Sequence, residues 1–249
     1  MLIDTHCHIH ESDYPLPINE VMARAAEADV AKYICVGTSE ISSADAVTFA
    51  DGHAASFAAV GVHPHETKDG YSKIVELAGA SEKVIAIGEI GLDYFYTHSP
   101  REVQLRALKD QIEVALAHDL PIIFHVREAF DDFWPIFDAM PGIRGVLHSF
   151  TDSKVNLDKA LSRGLYIGVN GISTFTKDET QKAVFDSIPL DHLLFETDAP
   201  FLTPAPLRGK VNEPAYVRNI AHYHAIRRGL SLDAIAAATS ANAHTLFAI

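Results

Sequence analysis

Eight short apolar runs separated by helical patterns constrain the fold of this chain more than any other feature. The runs are near-continuous rather than alternating, as expected for parallel strands that are covered on both faces. Their predicted limits are Leu2–Thr5, Lys32–Val36, Phe57–Val62, Val84–Glu89, Pro121–Val126, Gly145–His148, Leu165–Val169 and Leu193–Thr197. Eight βα units in 249 residues predict an α/β fold, a (β/α)8 TIM barrel with a parallel eight-stranded core.

The clearest helical pattern covers Ser99–Leu116. Ser99 and Glu102 have the spacing of a capping box, and Pro100 falls at the first helical position. The predicted apolar face consists of Leu105, Leu108, Ile112 and Leu116. Pro121 ends this helical pattern and begins the fifth predicted strand.

An open doubly wound sheet is the alternative fold, but no G-x-G-x-x-G sequence follows any of the strands. No linker rich in Gly, Ser or Pro divides the chain, so we predict one domain over residues 1–249. The proline-rich segment Ala199–Pro214 follows the eighth strand, and its stiffness suits a wall beside an active site.

The composition limits the classes of partner. The chain has 33 acidic and 20 basic residues and a net charge of −13, which opposes a broad, sequence-independent grip on duplex nucleic acid. Cys7 and Cys35 are expected to be free buried thiols in a reducing compartment. We find no secretion signal and no apolar run of 18 residues, so we expect a cytoplasmic protein without a membrane span. No obligate protein partner is evident.

Six imidazoles and carboxylates lie at the downstream ends of the apolar runs, where the active sites of (β/α)8 barrels lie. They are His6, His8, Glu89, His125, His148 and Asp198. Nitrogen and oxygen ligands without a thiolate are typical of a hydrolytic divalent-metal centre.

His6 and His8 project to the same side of an extended strand, so both imidazoles can reach one ion while Cys7 points into the packing. An H-x-H pair alone is weak evidence, since most such pairs are surface or core polar residues. Asp4 is expected to orient an imidazole as a hydrogen-bond acceptor, and His10 is expected to lie in a loop.

Each remaining candidate has an ordinary structural interpretation beside the functional one. Glu89 could form a buried salt bridge or an N-cap interaction, or it could bridge two ions. A lone core histidine would be satisfied by a backbone carbonyl, but His125 and His148 occur together on neighbouring strands. Asp198 can bind metal and accept a proton from an attacking water. Glu196 is either a deeper partner in a hydrogen-bond network or a structural acid.

Nine motifs in order along nearly the whole chain resemble the TatD family of metal-dependent deoxyribonucleases, within the amidohydrolase superfamily. They are DTHCH, GVHPH, GEIGLDY, SPREVQ, HVREAF, HSFT, ETDAPFLTP, RGKVNEP and NAHTLF. The resemblance implies a (β/α)8 barrel that hydrolyses phosphodiester bonds, often as a 3′→5′ exonuclease on DNA.

The resemblance also implies a site with two divalent cations, whose identity could be Zn, Mn, Mg, Co or Ni. His6, His8 and Asp198 would hold one ion, and His125 and His148 would hold the other. Glu89 would bridge the two ions, and a metal-activated water would be the nucleophile, with Asp198 and Glu89 as the catalytic carboxylates.

Further positions are assigned by the resemblance to the substrate. His63 would donate to a phosphate oxygen, and Arg127 and Arg208 would clamp phosphate, unless these arginines form salt bridges on rim loops. Glu196 is grouped with them as a candidate substrate-side residue. Asp93 is expected to orient a loop or a ligand histidine.

The expected substrate is single-stranded DNA or frayed duplex ends, for which a local cationic cleft suffices. One alternative is a hydrolase of another ester or amide on the same scaffold, such as a D-aminoacyl-tRNA deacylase. Another is a non-catalytic barrel that only binds a partner. An amidase bridged by a carboxylated lysine is disfavoured, because Glu89 holds the bridging position and Lys83 precedes the strand.

Overall fold

The computed structural model describes all residues from Met1 to Ile249. The strands are β1 (Leu2–Cys7), β2 (Val30–Val36), β3 (Ser56–Val60), β4 (Val84–Asp93), β5 (Ile122–Arg127), β6 (Gly145–Leu147), β7 (Tyr166–Val169) and β8 (Leu193–Phe195). The α-helices are α1 (Ile18–Glu27), α2 (Glu40–Gly52), α3 (Ile74–Leu77), α4 (Arg101–Ala117), α5 (Phe130–Ala139), α6 (Lys154–Ser162), α7 (Ile172–Phe175), α8 (Glu179–Asp186), α9 (Val217–Arg228) and α10 (Leu232–Phe247). Short 3-10 turns cover Thr67–Asp69, Leu190–His192 and Pro214–Tyr216.

The strand order follows the chain from β1 to β8 in one sheet. Strand pairs such as β3–β4, β4–β5 and β7–β8 are parallel. The prediction of a (β/α)8 barrel is therefore confirmed, and every predicted run overlaps one strand. The limits differ at the functional ends, since β1 continues to Cys7 and β4 continues to Asp93.

The chain divides into two compact units. Unit 1 contains Met1–Ile34 and Ser149–Ile249, and unit 2 contains Cys35–His148. Each unit has its own buried residues and its own cluster of imidazoles and carboxylates. A single domain over residues 1–249 stays a prediction.

In unit 1, the first strand is joined to the segment that follows the last one. A parallel bridge links Cys7 to Ala199, and the hydroxyl of Thr5 donates to the carbonyl of Phe195 at 3.1 Å. All six residues of β1 are buried, as expected for a parallel strand with both faces covered. These contacts hold the downstream ends of β1 and β8 together.

In unit 2, β4 is buried along its whole length and aromatic side chains fill the space beside β5. Phe124 of β5 packs edge-to-face on Phe133 of α5, with ring centroids 5.1 Å apart. Phe130 stacks on Trp134 at 5.4 Å within α5. This apolar layer supports the strand that ends in His125 and Arg127.

The capping-box prediction for α4 is wrong. Pro100 occupies the N-cap position and no side chain caps the helix. The hydroxyl of Ser99 instead donates to the carbonyl of His65 at 2.7 Å and accepts the backbone N–H of Lys68 at 3.2 Å. The side chain of Ser99 therefore binds the backbone of a loop and does not cap α4.

The buried face of α4 is also more polar than predicted. Leu108 and Ile112 are buried, but Leu116 is 37% exposed. Gln104 and Gln111 are buried in its place, each about 1% exposed. Buried amides require hydrogen bonds, so these two glutamines must bind groups inside the unit.

Both cysteines are free and buried, as predicted. None of the helices combines the length and the apolar character that crossing a bilayer requires.

Candidate metal centre

Three of the predicted ligands converge in unit 1. The Nε2 atoms of His6 and His8 lie 3.1 Å apart. Oδ1 of Asp198 lies 3.7 Å from Nε2 of His6 and 3.3 Å from Nε2 of His8. Both histidines are buried, and the Asp198 side chain is 15% exposed. Two nitrogens and one carboxylate oxygen therefore lie close together, and only the carboxylate has appreciable contact with solvent.

Backbone hydrogen bonds set this arrangement. The N–H of Asp198 donates to the carbonyl of His6 at 2.8 Å, and the N–H of His8 donates to the carbonyl of Ala199 at 2.7 Å. Since alternate residues of a strand share a face, His6 and His8 both project toward Asp198. The parallel pairing of β1 with the residues after β8 thus brings the ligands together.

Asp198 has a left-handed backbone conformation, with φ of 59°. Aspartate and asparagine tolerate this region better than most residues. The carbonyl of Asp198 accepts the N–H of Phe201 at 2.8 Å, which closes a tight turn. The turn directs the carboxylate back toward the histidines instead of along the strand.

Asp4 does not orient an imidazole, contrary to the prediction. Its carboxylate accepts the backbone N–H of Thr197 at 2.8 Å, the hydroxyl of Thr197 at 2.5 Å and the N–H of His6 at 3.4 Å. Burial raises the pKa of Asp4 to about 8, and the hydrogen bonds from Thr197 only partly oppose this rise. Asp4 therefore orients the backbone on either side of the cluster.

A second cluster forms around Glu89 in unit 2. Oε1 of Glu89 lies 2.8 Å from Nδ1 of His125, 3.6 Å from Nε2 of His63 and 3.7 Å from Nε2 of His148. The Glu89 side chain is 5% exposed. A buried carboxylate surrounded by three imidazoles can share protons with them or share a cation with them.

Asp93 supports His125 from the opposite side. Oδ2 of Asp93 lies 2.9 Å from Nε2 of His125 and 3.1 Å from Nε2 of His65. Because Nε2 of His125 contacts Asp93, Nδ1 is the ring nitrogen that faces Glu89. A carboxylate on the far nitrogen of a ligand histidine fixes the ring and increases its basicity. Asp93 therefore contacts the imidazole of His125 as expected, while the role of His125 as a metal ligand stays a prediction.

Charges shift the pKa values in this cluster. Burial alone would lower the pKa of His125, but its hydrogen bonds with Asp93 and Glu89 raise it above the ordinary value. The pKa of Asp93 is well below the ordinary value, because its contacts with His125 outweigh the effect of burial. Burial, with the nearby charge of His125, holds the pKa of His63 well below its usual range. His63 is therefore a neutral imidazole at physiological pH.

His63 lies deeper in the cluster than its predicted substrate-side role implied. Its ring centroid is 4.4 Å from those of both His65 and His125. Its Nδ1 accepts the backbone N–H of His65 at 3.1 Å, which leaves Nε2 directed toward Glu89. In this tautomer Nε2 carries the proton and can donate to Glu89 or to a phosphate oxygen, and the substrate role of His63 stays a prediction.

The two buried glutamines of α4 hold the strand ends that carry the cluster. The amide of Gln104 accepts the N–H of Asp93 at 2.9 Å and donates to its carbonyl at 3.1 Å. Gln111 binds Val62 in the same way, at 2.8 and 3.2 Å. Backbone groups at the ends of β3 and β4 are thereby satisfied without another strand.

Gly91 permits a close approach of β4 and β5 near His125. Its φ is +155°, and a Cβ atom there would lie 1.8 Å from the carbonyl oxygen of His125. Any side chain at this position would displace the strand that carries His125.

The donor atoms fit divalent cations. Ligand atoms that share a tetrahedral ion at bond lengths of about 2.0–2.1 Å lie about 3.3 Å apart. The contacts among His6, His8 and Asp198 span 3.1 to 3.7 Å, in agreement with this spacing. In unit 2, ligand atoms of His63, Glu89 and His125 all lie within 4.8 Å of one another. Neutral imidazoles with carboxylates suit Zn, Mn, Co or Ni, and more weakly Mg.

The two arginines predicted to clamp phosphate form no salt bridge. The guanidinium carbon of Arg127 lies 3.8 Å from the ring centroid of Phe95. Arg208 lies 4.0 Å from the centroid of Phe175, and it donates to the carbonyl of Thr203 at 2.9 Å. Both side chains are exposed. Their charges remain available to an anion, while their roles in substrate binding stay predictions.

Glu196 is a buried member of a hydrogen-bond network. It is 1% exposed, and its Oε1 accepts the N–H of Ser149 at 2.6 Å. The carboxylate also packs against Gly168, where an added Cβ atom would lie only 2.5 Å from Oε2 of Glu196. This agrees with the interpretation as a deeper partner, and its candidate role toward substrate stays a prediction.

Sequence reasoning missed His65, Thr197 and the two glutamines of α4. His65 was within reach, because His63 and His65 repeat the H-x-H spacing of His6 and His8. Thr197 and the glutamines carry no comparable signal, since they act through backbone groups that are distant in sequence.

Comparisons with known proteins agree with this chemistry. A model of the TatD related DNase family matches residues 3–248. An uncharacterized metal-dependent hydrolase of Bacillus subtilis, YabD, is 37% identical over 255 residues that cover 100% of both chains. A Salmonella typhimurium protein named 3′-5′ ssDNA/RNA exonuclease TatD is 34% identical, with 100% of this chain and 99% of that protein covered.

The crystal structure of YjjV, a TatD homolog from Escherichia coli, has a TM-score of 0.91 to this chain. The two chains are 30% identical, and the match covers 100% of this chain and 98% of the other. With a family match over almost the whole length and full-length relatives above 30% identity, this chain belongs to the TatD-related DNase family of metal-dependent hydrolases.

Proposed function

We propose that this protein hydrolyses phosphodiester bonds in single-stranded nucleic acid or at frayed duplex ends, and removes nucleotides from the 3′ end. The observation that carries the proposal is the convergence of His6, His8 and Asp198 in a chain of this family, with their ligand atoms 3.1 to 3.7 Å apart. The name of the Salmonella typhimurium relative supports the choice of single-stranded nucleic acid and of 3′→5′ polarity.

Two divalent cations per chain are part of the proposal. His6, His8 and Asp198 would hold one, and His125 with His148 and Glu89 would hold the other. A bound divalent cation lowers the pKa of water toward neutrality and offsets negative charge on a phosphoryl group. The identity of the ions, the bridging role of Glu89 and a cytoplasmic location stay predictions.

The side chains of this protein provide the proton transfer and the binding of substrate. Asp198 is the most exposed of the three unit 1 ligands, so its carboxylate can accept a proton from an attacking water. Burial keeps the imidazole of His63 neutral, which leaves an N–H for a phosphate oxygen. Arg127 and Arg208 offer guanidinium groups that no acidic side chain neutralises.

The net charge explains the preference for single strands. A chain with a charge of −13 repels the dense phosphate array of a duplex. A flexible single strand can bring one phosphate to a few cationic groups while the rest of it stays in solvent. Digestion is therefore expected to begin at free or frayed ends.

The test is digestion of oligonucleotides labelled at the 5′ or 3′ end, after metal removal and reconstitution with Zn, Mn, Mg, Co or Ni. A ladder shortened from the 3′ end with single-stranded DNA supports the proposal. Deacylation of D-aminoacyl-tRNA without cleavage of any oligonucleotide would replace it with the other hydrolase. Binding of nucleic acid with neither activity would show a non-catalytic barrel.

A further inference from the structure

Two large aromatic side chains stand exposed in the loop that follows β4. Phe95 is 48% exposed and Tyr96 is 44% exposed. Their rings are in contact, with centroids 4.6 Å apart and planes at 85°. Exposed aromatic rings do not gain the free energy that burial of apolar surface provides. Such exposed apolar patches commonly mark a binding surface.

Hydrogen bonds fix the backbone of this loop. Oδ1 of Asp93 accepts the N–H of Phe95 at 2.9 Å and that of Tyr96 at 3.1 Å. Gln104 holds the backbone of Asp93 on one side and donates to the carbonyl of Ser99 at 3.0 Å on the other. Both ends of the loop are therefore anchored, and the aromatic pair is held in place before any ligand arrives.

The same carboxylate that fixes the loop also fixes a candidate metal ligand. While Oδ1 of Asp93 binds the loop, its Oδ2 lies 2.9 Å from Nε2 of His125. His125 in turn faces Glu89 at 2.8 Å. The positions of Phe95 and Tyr96 are thus tied to the cluster that would bind the reacting phosphate.

A free positive charge lies against the aromatic pair. The guanidinium carbon of Arg127 is 3.8 Å from the centroid of Phe95 and 5.3 Å from that of Tyr96. Arg127 follows His125 by two residues in β5 and forms no ion pair. In a protein with a net charge of −13, this isolated cation favours an anionic ligand.

We propose that Phe95 and Tyr96 form a stacking platform for a nucleobase of a single-stranded nucleic acid, with Arg127 bound to its phosphate. An aromatic surface beside an unpaired cation matches a nucleotide, which combines a π-face with a phosphate. In a duplex the bases stack on one another, so the platform selects unpaired ends. The inference rests on the proposed nuclease function and adds the chemical group that the protein recognises.

The experiment compares two single-stranded oligonucleotides that differ only in their 3′-terminal nucleotides, which carry bases in one and are abasic in the other. The measured quantity is the ratio of kcat/KM for the two substrates. In the wild type we expect a ratio of roughly 10, within the range known for base stacking on aromatic side chains. In the double variant Phe95→Leu, Tyr96→Leu the ratio should fall toward one.

Two further variants separate stacking from a structural effect. The double variant Phe95→Tyr, Tyr96→Phe keeps both rings and should keep the ratio. Tyr223→Leu removes another ring beside an arginine, since Tyr223 lies 5.7 Å from Arg227 on α9 in unit 1. This control should keep the wild-type ratio. Thermal unfolding of each variant shows whether it remains folded.

A wild-type ratio near one, or an unchanged ratio in the double leucine variant, would overturn the platform. If the wild type cleaves neither substrate with any metal, the proposed function has failed, and the binding of both oligonucleotides is measured by fluorescence anisotropy instead. Base-dependent affinity that the double leucine variant loses would then support the platform. Equal affinity of the wild type for both oligonucleotides would refute it.

Discussion

Asp4 in unit 1 and Asp93 in unit 2 are both buried carboxylates beside candidate metal ligands, yet their pKa values shift in opposite directions. Burial raises the pKa of Asp4 to about 8. Burial also acts on Asp93, but its contacts with His125 and His65 hold its pKa well below the ordinary value. The partners contribute to the difference, because Asp4 binds hydroxyl and amide donors whereas Asp93 binds imidazoles as well as amide donors.

The comparison indicates two ways to position ligands. In unit 1, strand pairing places His6, His8 and Asp198, and the buried acid only stabilises the backbone. In unit 2, a charged acid contacts the ring of His125 directly. We therefore expect metal binding in unit 2 to depend more strongly on the charge of its supporting carboxylate.

The largest effect is expected for Asp198→Asn. An amide cannot accept a proton from water, so kcat should fall by about 100- to 10,000-fold. The fold should persist, because asparagine also tolerates the left-handed φ of 59°. Asp29→Asn is a matched control, since Asp29 has a φ of 62° but lies exposed in an ion pair with the N-terminus. Full activity of Asp198→Asn in oligonucleotide digestion would refute the assigned role.

The next prediction tests the two acids against each other. Asp93→Asn should weaken metal binding in unit 2 by about 10- to 100-fold, the usual effect of losing a partner of a ligand histidine. Asp4→Asn should have a smaller effect on metal affinity, because Asp4 touches no imidazole. Titration of the metal-free proteins with Zn or Mn measures both. Equal losses would show that the two acids do not differ in function.

A third prediction uses two histidines whose pKa values shift in opposite directions. Burial lowers the pKa of His224 in unit 1 to about 3. Below pH 6.5 His224 binds a proton in the unfolded chain but stays neutral in the folded protein. Its contribution to the free energy of unfolding is therefore complete above pH 6.5 and is lost as pH falls toward 3. As pH falls through this range, the free energy of unfolding of His224→Gln should decrease less steeply than that of the wild type, by about 1.4 kcal/mol per pH unit. Urea unfolding between pH 6.5 and 4 measures the slope, and an unchanged slope contradicts the prediction.

His125 in unit 2 should show the opposite dependence in the metal-free protein. Its pKa is raised, because hydrogen bonds with carboxylates outweigh the effect of burial. Its contribution to stability is therefore complete below pH 6.5 and is lost as pH rises through the raised value. A urea series on His125→Gln that extends above pH 6.5 measures this contribution, and it distinguishes the two histidines by the sign of the change with pH.

The smallest effect is expected for Arg208→Ala. The side chain is exposed and stacks on Phe175, so its contact with a phosphate has the modest value of a surface ion pair. KM should rise by about 2- to 5-fold while kcat changes little. Steady-state kinetics on a single-stranded oligonucleotide measure both constants. If neither constant changes, Arg208 does not bind the substrate.

The sequence predicted which imidazoles and carboxylates come together because parallel strands are regular, while their role as metal ligands stays a prediction. Polar residues at the ends of apolar runs, such as His6 and His125, are brought to the downstream ends of strands by the fold itself. No knowledge of loops is required for that prediction. The barrel class follows from the same alternation of strand and helix.

The residues that sequence reasoning missed act on backbone groups. Gln104 and Gln111 look like surface residues in a helical pattern, but they bind amides at the ends of two strands. A hydrophobic pattern records apolar burial and cannot show which backbone groups lack a partner. The cap predicted at Ser99 is wrong for the same reason, because the hydroxyl of Ser99 donates to the carbonyl of His65.

The bond between Asp4 and Thr197 joins positions that are 193 residues apart in sequence. During synthesis the ribosome must therefore release most of the polypeptide before the candidate ligands of unit 1 can meet, whereas those of unit 2 have all been synthesised by His148. A growing chain thus contains every residue of the cluster around Glu89 before it contains Asp198. The cluster of His6, His8 and Asp198 can be complete only once the eighth strand has been synthesised, so a chain that ends before Asp198 would lack the carboxylate proposed to accept the proton.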